Sequence, residues 1–154
     1  IITLVTMKLL KKIIYWKLSL QFYLVTFLRN KFYDFGVFKS YSFETPVISV
    51  GNLSVGGTGK TPFVEFLIRH FSKNYKVAVL SRGYKRKSKG FILASDSDDS
   101  NSIGDEPFQY YSKFKDIKVA VDKKRKRGIK KLIKAGVNMI ILDDAFQHRK
   151  VDPK

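Results

Sequence analysis

Cysteine is absent from the 154 residues, which excludes a disulfide framework and any thiolate metal site, and fits a reducing, cytoplasmic setting. Acidic residues are scarce: 13 Asp and Glu stand against 30 Lys and Arg, a net charge of +17. So basic a chain favours anionic partners such as phosphates, acidic lipid surfaces or nucleic acid. Charge alone does not choose among them, and lysines spread over solvated faces would give the same count. No internal repeat is visible. The longest uncharged part of the N-terminal segment, residues 18–28, falls short of the roughly 20 apolar residues that cross a bilayer. No small-residue cleavage site follows it, which argues against a cleaved signal peptide.

What is present is enough for one domain with a real core: 44% of the chain is apolar and 14% aromatic. Met7 opens "MKLLKKIIYWKLSLQFYL", so residues 1–6 are expected to be upstream translated sequence. At about 100° per residue, Lys11, Lys12, Tyr15, Ser19, Thr26, Arg29 and Asn30 share one side of a helix. Leu9, Ile13, Trp16, Leu20, Leu24 and Phe27 share the other. Residues 7–36 therefore read as an amphipathic helix at a membrane surface, with packing on its own domain as the alternative. From residue 37 onward, strand and helix patterns alternate. "PVISV" (46–50), "KVAVLS" (76–81), "GFILA" (90–94), "KVAVD" (118–122) and "NMIILDD" (138–144) read as strands. Helical patterns occupy 61–71, 105–114 and 123–135, the last with an apolar stripe of Ile129, Leu132 and Ile133 and with Gly136 as its cap; "SDSDDSNS" (95–102) reads as a polar loop. Continuous apolar strands separated by helices imply an α/β fold, a mostly parallel sheet with helices on both faces. "FQHRKVDPK" stops without a closing element, so a fragment is expected.

Chemistry concentrates in a few places. In "SVGNLSVGGTGKTPFVEF" the phosphate-loop pattern G-x-x-x-x-G-K-[ST] is matched at Gly59, Lys60 and Thr61, but Ser54 stands where the first glycine belongs. Strand, loop and helix follow in the order a phosphate cradle needs. Gly56, Gly57 and Gly59 let amides turn toward an anion, Lys60 would reach the phosphates, and Thr61 would hold Mg²⁺. "IILDDAFQH" puts Asp143 and Asp144 at a strand's C-terminal edge, where they would meet that Mg²⁺; on their own they would pass for a turn. In "GDEP", Asp105 and Glu106 open a helix, and the local reading is an N-cap followed by a dipole-matched acid and an early proline. "SRGYKRK" places Arg82 and Tyr84 after a strand, at the ligand edge or in a solvated basic loop.

Taken in this order and spacing, "PVISVGNLSVGGTGKTPFVEFL", "LSRGY", "GDEP" and "ILDDAFQH" resemble the tetraacyldisaccharide 4'-kinase family, the lipid A 4'-kinases of Gram-negative bacteria. The likeness runs from about Met7 to the end, over the family's N-terminal part. It implies a P-loop NTPase-like fold and ATP-dependent phosphoryl transfer to the 4'-hydroxyl of a tetraacylated glucosamine disaccharide 1-phosphate, forming lipid IVA. The setting it implies is peripheral, on anionic lipid at the cytoplasmic face of the inner membrane, with no role for nucleic acid. By motif, Ser54, Val55, Gly56, Gly57, Thr58, Gly59, Lys60 and Thr61 form the ATP loop. Asp105 matches the acid beside the acceptor hydroxyl, while Glu106, Asp143 and Asp144 would serve the metal. Gln147 and His148 belong to the last motif, and Arg125 is a phosphate-clamp candidate.

Family members run to about twice this length, with a second α/β lobe that supplies a histidine assisting the catalytic aspartate. Neither His70 nor His148 is its obvious substitute, so residues 37–154 are expected to be one lobe of the kinase, with little activity alone. Two other classes compete. A membrane-surface switch or partitioning ATPase would carry K-G-G-x-G-K-T, but Val55 occupies the position of its signature lysine. A nucleic-acid module built on Lys123–Lys134 would lack a base-reading motif and leave the phosphate loop unexplained.

Overall fold

The computed structural model describes residues 2–52, 59–145 and 149–152, of which 2–10 are described without side-chain detail. It divides into two compact units, residues 1–40 and 41–154.

The first unit is one helix, α1 (Ile2–Asp34), followed by a short return. The return is fastened to the helix end: the Phe38 amide donates to the Phe32 carbonyl at 3.0 Å, and the Phe38 ring meets Phe32 and Tyr33 edge-on. The apolar surface of α1 is wider than the expected stripe. Ile14, Leu18, Phe22 and Val25 are exposed outside it, so the polar side is a narrow seam. Among the described residues, no helix is long and apolar enough to cross a membrane.

The second unit is built on a five-stranded sheet. Its elements are β1 (Val47–Ser49), α2 (Lys60–Phe71), β2 (Val77–Ser81), β3 (Ile92–Leu93), α3 (Ser100–Ile103), α4 (Asp105–Lys113), β4 (Lys118–Val121), α5 (Arg125–Lys134) and β5 (Met139–Leu142). The strand order is β1-β5-β2-β4-β3. β1, β5, β2 and β4 pair in parallel, whereas β3 runs antiparallel to β4. The exception follows from connectivity. No crossover helix separates β2 from β3, so the chain enters β3 from the end at which it left β2 and must run back.

Alternation along the strands feeds two cores. Ala78, Leu80, Ile140 and Leu142 pack with Ile129 and Leu132 of α5 on one face. Val77, Val79, Met139 and Ile141 pack with Val64, Leu67, Ile68 and Tyr110 of α2 and α4 on the other. Because both faces are covered, the central strands carry no polar side, which is why they read as continuous apolar runs. A further difference lies in "SDSDDSNS": its end forms α3, nucleated by a capping box in which Asp99 accepts from the Ser102 amide and Ser102 reaches back to the Asp99 amide.

Candidate functional site

Parallel strands deliver their C-terminal ends to one edge of the sheet, and that edge gathers most of the described motif residues. β1 and β5 are stitched together past their last paired residues: the Val50 amide donates to Leu142 at 2.8 Å and the Ala145 amide to Val50 at 2.9 Å. This fixes the acidic pair after β5 beside Val50, just past the end of β1. Gly59 is the N-cap of α2 with φ 74, a left-handed conformation that glycine adopts without strain. Lys60 and Thr61 open the helix, and Pro62 sits in its first turn, where a missing amide is harmless.

Lys60 Nζ donates to Asp144 Oδ1 at 2.8 Å, and this bond raises the lysine's pKa against the opposing effect of burial. Asp143 behaves differently. Only 1% exposed, its carboxyl is pushed up to about 6, mainly by burial and then by the negative charge of Glu106, while Lys60 pulls the other way. Its Oδ2 has no hydrogen-bond partner among the described residues. Arg125, 4% exposed, lies under the same edge. Its Nη2 donates to the Asp143 carbonyl at 2.7 Å and its Nη1 to the Asp122 carbonyl at 3.2 Å. Burial lowers its pKa to about 10 although Asp143 and Asp144 oppose that shift, and Arg82 adds repulsion.

"SRGY" and "GDEP" meet through glycine. A Cβ on Gly104 would lie 3.0 Å from the Tyr84 carbonyl oxygen, and one on Gly83 would lie 2.9 Å from that of Ile103. The two backbones can approach because neither glycine has a side chain. Asp105 is thereby placed at the first position of α4, exposed, with half-buried Glu106 next to it. Arg82 and Tyr84 are exposed on the facing loop.

The structure thus collects Lys60, Asp143, Asp144, Glu106 and Arg125 on one edge, with Arg82 near the guanidinium. It sets Asp105 and Tyr84 where the two loops touch. Ser54, Val55, Gly56, Gly57, Thr58, Gln147 and His148 lie outside the described residues.

Tyr110 was not marked by any motif. Fully buried on α4, its hydroxyl faces the Thr61 side chain and the Asp143 carboxylate but has no well-formed hydrogen bond. Burial above all, then Asp143, raises its pKa. Asp122 likewise belongs to no motif. Its buried carboxylate accepts from Arg127 Nε at 2.7 Å, from Arg127 Nη2 at 2.9 Å and from the Lys124 amide at 2.8 Å, which fixes the turn from β4 into α5. The only sequence signal for either is position: a tyrosine one turn into the "GDEP" helix, an aspartate directly after a strand.

Among the described residues, no three acidic or imidazole side chains cluster closely enough to hold a metal alone. The donor set nevertheless fits Mg²⁺, which is usually held by one or two carboxylates together with water and phosphate oxygens. Asp143 Oδ2 is a buried acceptor lacking a donor, with Glu106 close enough to repel it.

Comparisons with known proteins converge. A family model described as tetraacyldisaccharide-1-P 4'-kinase matches residues 11–154. A curated tetraacyldisaccharide 4'-kinase of Flavobacterium johnsoniae is 54% identical over 147 residues, 94% of this chain and 43% of that protein. One from Phocaeicola vulgatus is 61% identical over 130 residues, 82% of this chain and 36% of the relative. The crystal structure of LpxK from Aquifex aeolicus in complex with ATP aligns with a TM-score of 0.76 at 42% identity, covering 84% of this chain and 42% of that one. The chain spans less than half the length of the curated relatives it matches.

Proposed function

Because this chain belongs to the tetraacyldisaccharide 4'-kinase family, we propose that it forms the nucleotide-binding part of a lipid A 4'-kinase with a P-loop NTPase-like fold. The reaction moves the γ-phosphoryl group of ATP to the 4'-hydroxyl of a tetraacyl disaccharide 1-phosphate. One observation carries this reading: the Lys60 ammonium, at the start of α2, is held at 2.8 Å by Asp144, next in the chain to Asp143, whose buried carboxylate oxygen has no partner among the described residues. A cation and an acceptor stored together at the C-terminal edge of a parallel sheet suit a nucleoside triphosphate and its metal.

In this reading residues 54–59 cradle the phosphates through backbone amides, with Ser54 and Val55 as the family's variant of the loop. Lys60 leaves Asp144 for the β- and γ-phosphates. Thr61, Asp143, Asp144 and Glu106 would hold Mg²⁺, which would supply positive charge to neutralise the phosphate oxygens. Asp105, exposed at the front of α4, takes the proton of the 4'-hydroxyl. That oxygen bonds to the γ-phosphorus, and the bond to the β-bridging oxygen breaks with ADP leaving. Arg125 holds the Asp143 main chain in place and contributes positive charge. Arg82 and Tyr84, exposed on the loop that meets the start of α4, are the candidates to border the acceptor, and Gln147 and His148 are further candidates by motif alone. An acylated acceptor stays in the bilayer, so the exposed apolar surface of α1 would keep the enzyme peripheral on the cytoplasmic face of the inner membrane, on anionic lipid.

The test is an assay of the full gene product with ATP, Mg²⁺ and the tetraacyl disaccharide 1-phosphate. Phosphate transfer is expected. Asp105→Ala should abolish it with nucleotide affinity retained, and Lys60→Ala should lose both. ATP hydrolysis on liposomes without transfer would overturn the reading in favour of a switch ATPase.

A further inference from the structure

The residues assigned to phosphoryl transfer sit on two helices. α2 carries Lys60 and Thr61 in its first turn, and α4 carries Asp105 and Glu106 in its own. The helices belong to different crossovers: α2 follows β1, α4 precedes β4, and β5 and β2 lie between those strands. Both bury apolar side chains on the same face of the sheet. Apolar burial is non-directional, so it holds each helix down without fixing how far one slides past the other.

Glu65 supplies directional contacts. It lies on α2 one turn past Thr61 and is 6% exposed, and its carboxylate reaches across to α4. Oε1 accepts from Gln109 Nε2 at 3.1 Å, and Oε2 accepts from Lys113 Nζ. Arg69, one turn further along α2, donates to Oε2 at 3.4 Å, and its guanidinium lies 5.3 Å from the centre of the Phe114 ring at the end of α4. Toward the ligand edge, the Tyr110 hydroxyl faces Thr61. Thr61, Glu65 and Arg69 recur every fourth residue on α2, as Asp105, Gln109 and Lys113 do on α4, so each set forms one stripe. The bridge thus ties the second turn of α2 to the turns directly behind Asp105. Burial alone would raise the Glu65 pKa, but the bonds from Lys113 and Gln109 and the charges of Lys113 and Arg69 outweigh it and keep the carboxylate ionised. A buried ion pair adds little net stability over apolar residues of similar volume, and its best-attested use is to fix register.

Resting on the kinase reading, we propose that Glu65 is a positioning residue: through Gln109 and Lys113 it sets the register between α2 and α4, and so the distance from the phosphates at Lys60 to Asp105. Glu65 itself touches neither nucleotide nor acceptor. Misplacing reacting groups by about 1 Å costs on the order of a hundredfold in rate. Loss of the bridge is therefore expected in the transfer step and not in nucleotide binding.

The experiment uses the full gene product with ATP, Mg²⁺ and the tetraacyl disaccharide 1-phosphate, and reads kcat, KM for ATP, ADP affinity by calorimetry and melting temperature. Glu65→Gln keeps an acceptor for Lys113 and a donor for the Gln109 amide oxygen, so kcat should stay within about threefold. Glu65→Met keeps the volume and removes the bridge; kcat should fall about tenfold or more while KM for ATP and ADP affinity stay within about twofold. Combining Glu65→Met with Lys113→Met removes both charges, which should return the melting temperature to the wild-type value or above while kcat stays down about tenfold. Recovery of kcat together with stability would show that Glu65 is merely structural and overturn the proposal. An unchanged kcat in Glu65→Met, or ADP affinity that falls as far as kcat, would do the same. Should Glu65→Met not fold, Lys113→Met alters a side chain 45% exposed and decides the matter, with kcat expected to fall about fivefold or more at unchanged ADP affinity. Wild type that transfers no phosphate would overturn the kinase reading and this proposal with it, whereas transfer by wild type and Glu65→Met at equal rates would overturn the proposal alone.

Discussion

Asp143 holds its position at the expense of stability. Burial pushes its carboxyl up to about 6 in the folded protein, from an ordinary aspartate value of 3.8, so the folded state binds the proton more tightly than the unfolded one. The stabilisation from protonation is complete below the unfolded value and is lost as pH rises through about 6; above that, the buried charge opposes folding. Asp143→Asn is therefore expected to raise unfolding free energy by about 2 kcal/mol at pH 8, with the gain shrinking toward pH 4. Urea titrations at the two pH values check this, and an equal gain at both would contradict it. Tyr110→Phe should act in the same direction at either pH, by about 1 kcal/mol, because it removes a buried hydroxyl that has no well-formed bond. The two residues differ in legibility. Asp143 ends an apolar run, so its place at the strand edge could be read from the chain. Tyr110 reads as an ordinary aromatic on a helix face, and only the packing of α4 against the sheet turns its hydroxyl toward Thr61.

The elements were legible where burial sets the period and obscure where single backbone contacts decide. β2, β4 and β5 follow from their apolar runs, and α5 from Ile129 and Leu132, which both enter the core. The antiparallel direction of β3 depends on a missing crossover helix, and α3 on a reciprocal cap at Asp99 and Ser102, and neither leaves a periodic trace. The junction of "SRGY" with "GDEP" belongs to this second kind. Gly104 has φ 97 and ψ 157, a region open essentially only to glycine, and it touches the Tyr84 carbonyl. Gly104→Ala should destabilise the second unit by about 1–3 kcal/mol. It should also displace Asp105, so phosphate transfer by the full gene product should fall further than nucleotide affinity does. A variant with normal stability and normal transfer would show that the close approach is dispensable.

Across the whole molecule, surplus positive charge and exposed apolar surface are carried by different elements. α5 spends its apolar face on the sheet and leaves Lys130, Lys131 and Lys134 exposed. On α1, Trp16, Leu20 and Phe22 are exposed, and Trp16 is the protein's one tryptophan. Its emission therefore reports on α1 alone, whatever else binds. If α1 lies in the headgroup region, vesicles containing about a third anionic lipid should shift Trp16 emission to the blue, and neutral vesicles should do so more weakly. Each basic residue near an anionic surface contributes on the order of 1 kcal/mol. Lys130→Gln, Lys131→Gln and Lys134→Gln combined would accordingly weaken anionic-vesicle binding by up to about a hundredfold if α5 also meets the surface. The fully bound emission maximum should stay the same, because α1 is unaltered. Salt separates the contributions: raising ionic strength to about 0.5 M should screen the lysine contribution and leave the apolar one. Sedimentation of protein with anionic vesicles while Trp16 emission stays unshifted would remove α1 from the membrane and leave the basic surface as the attachment.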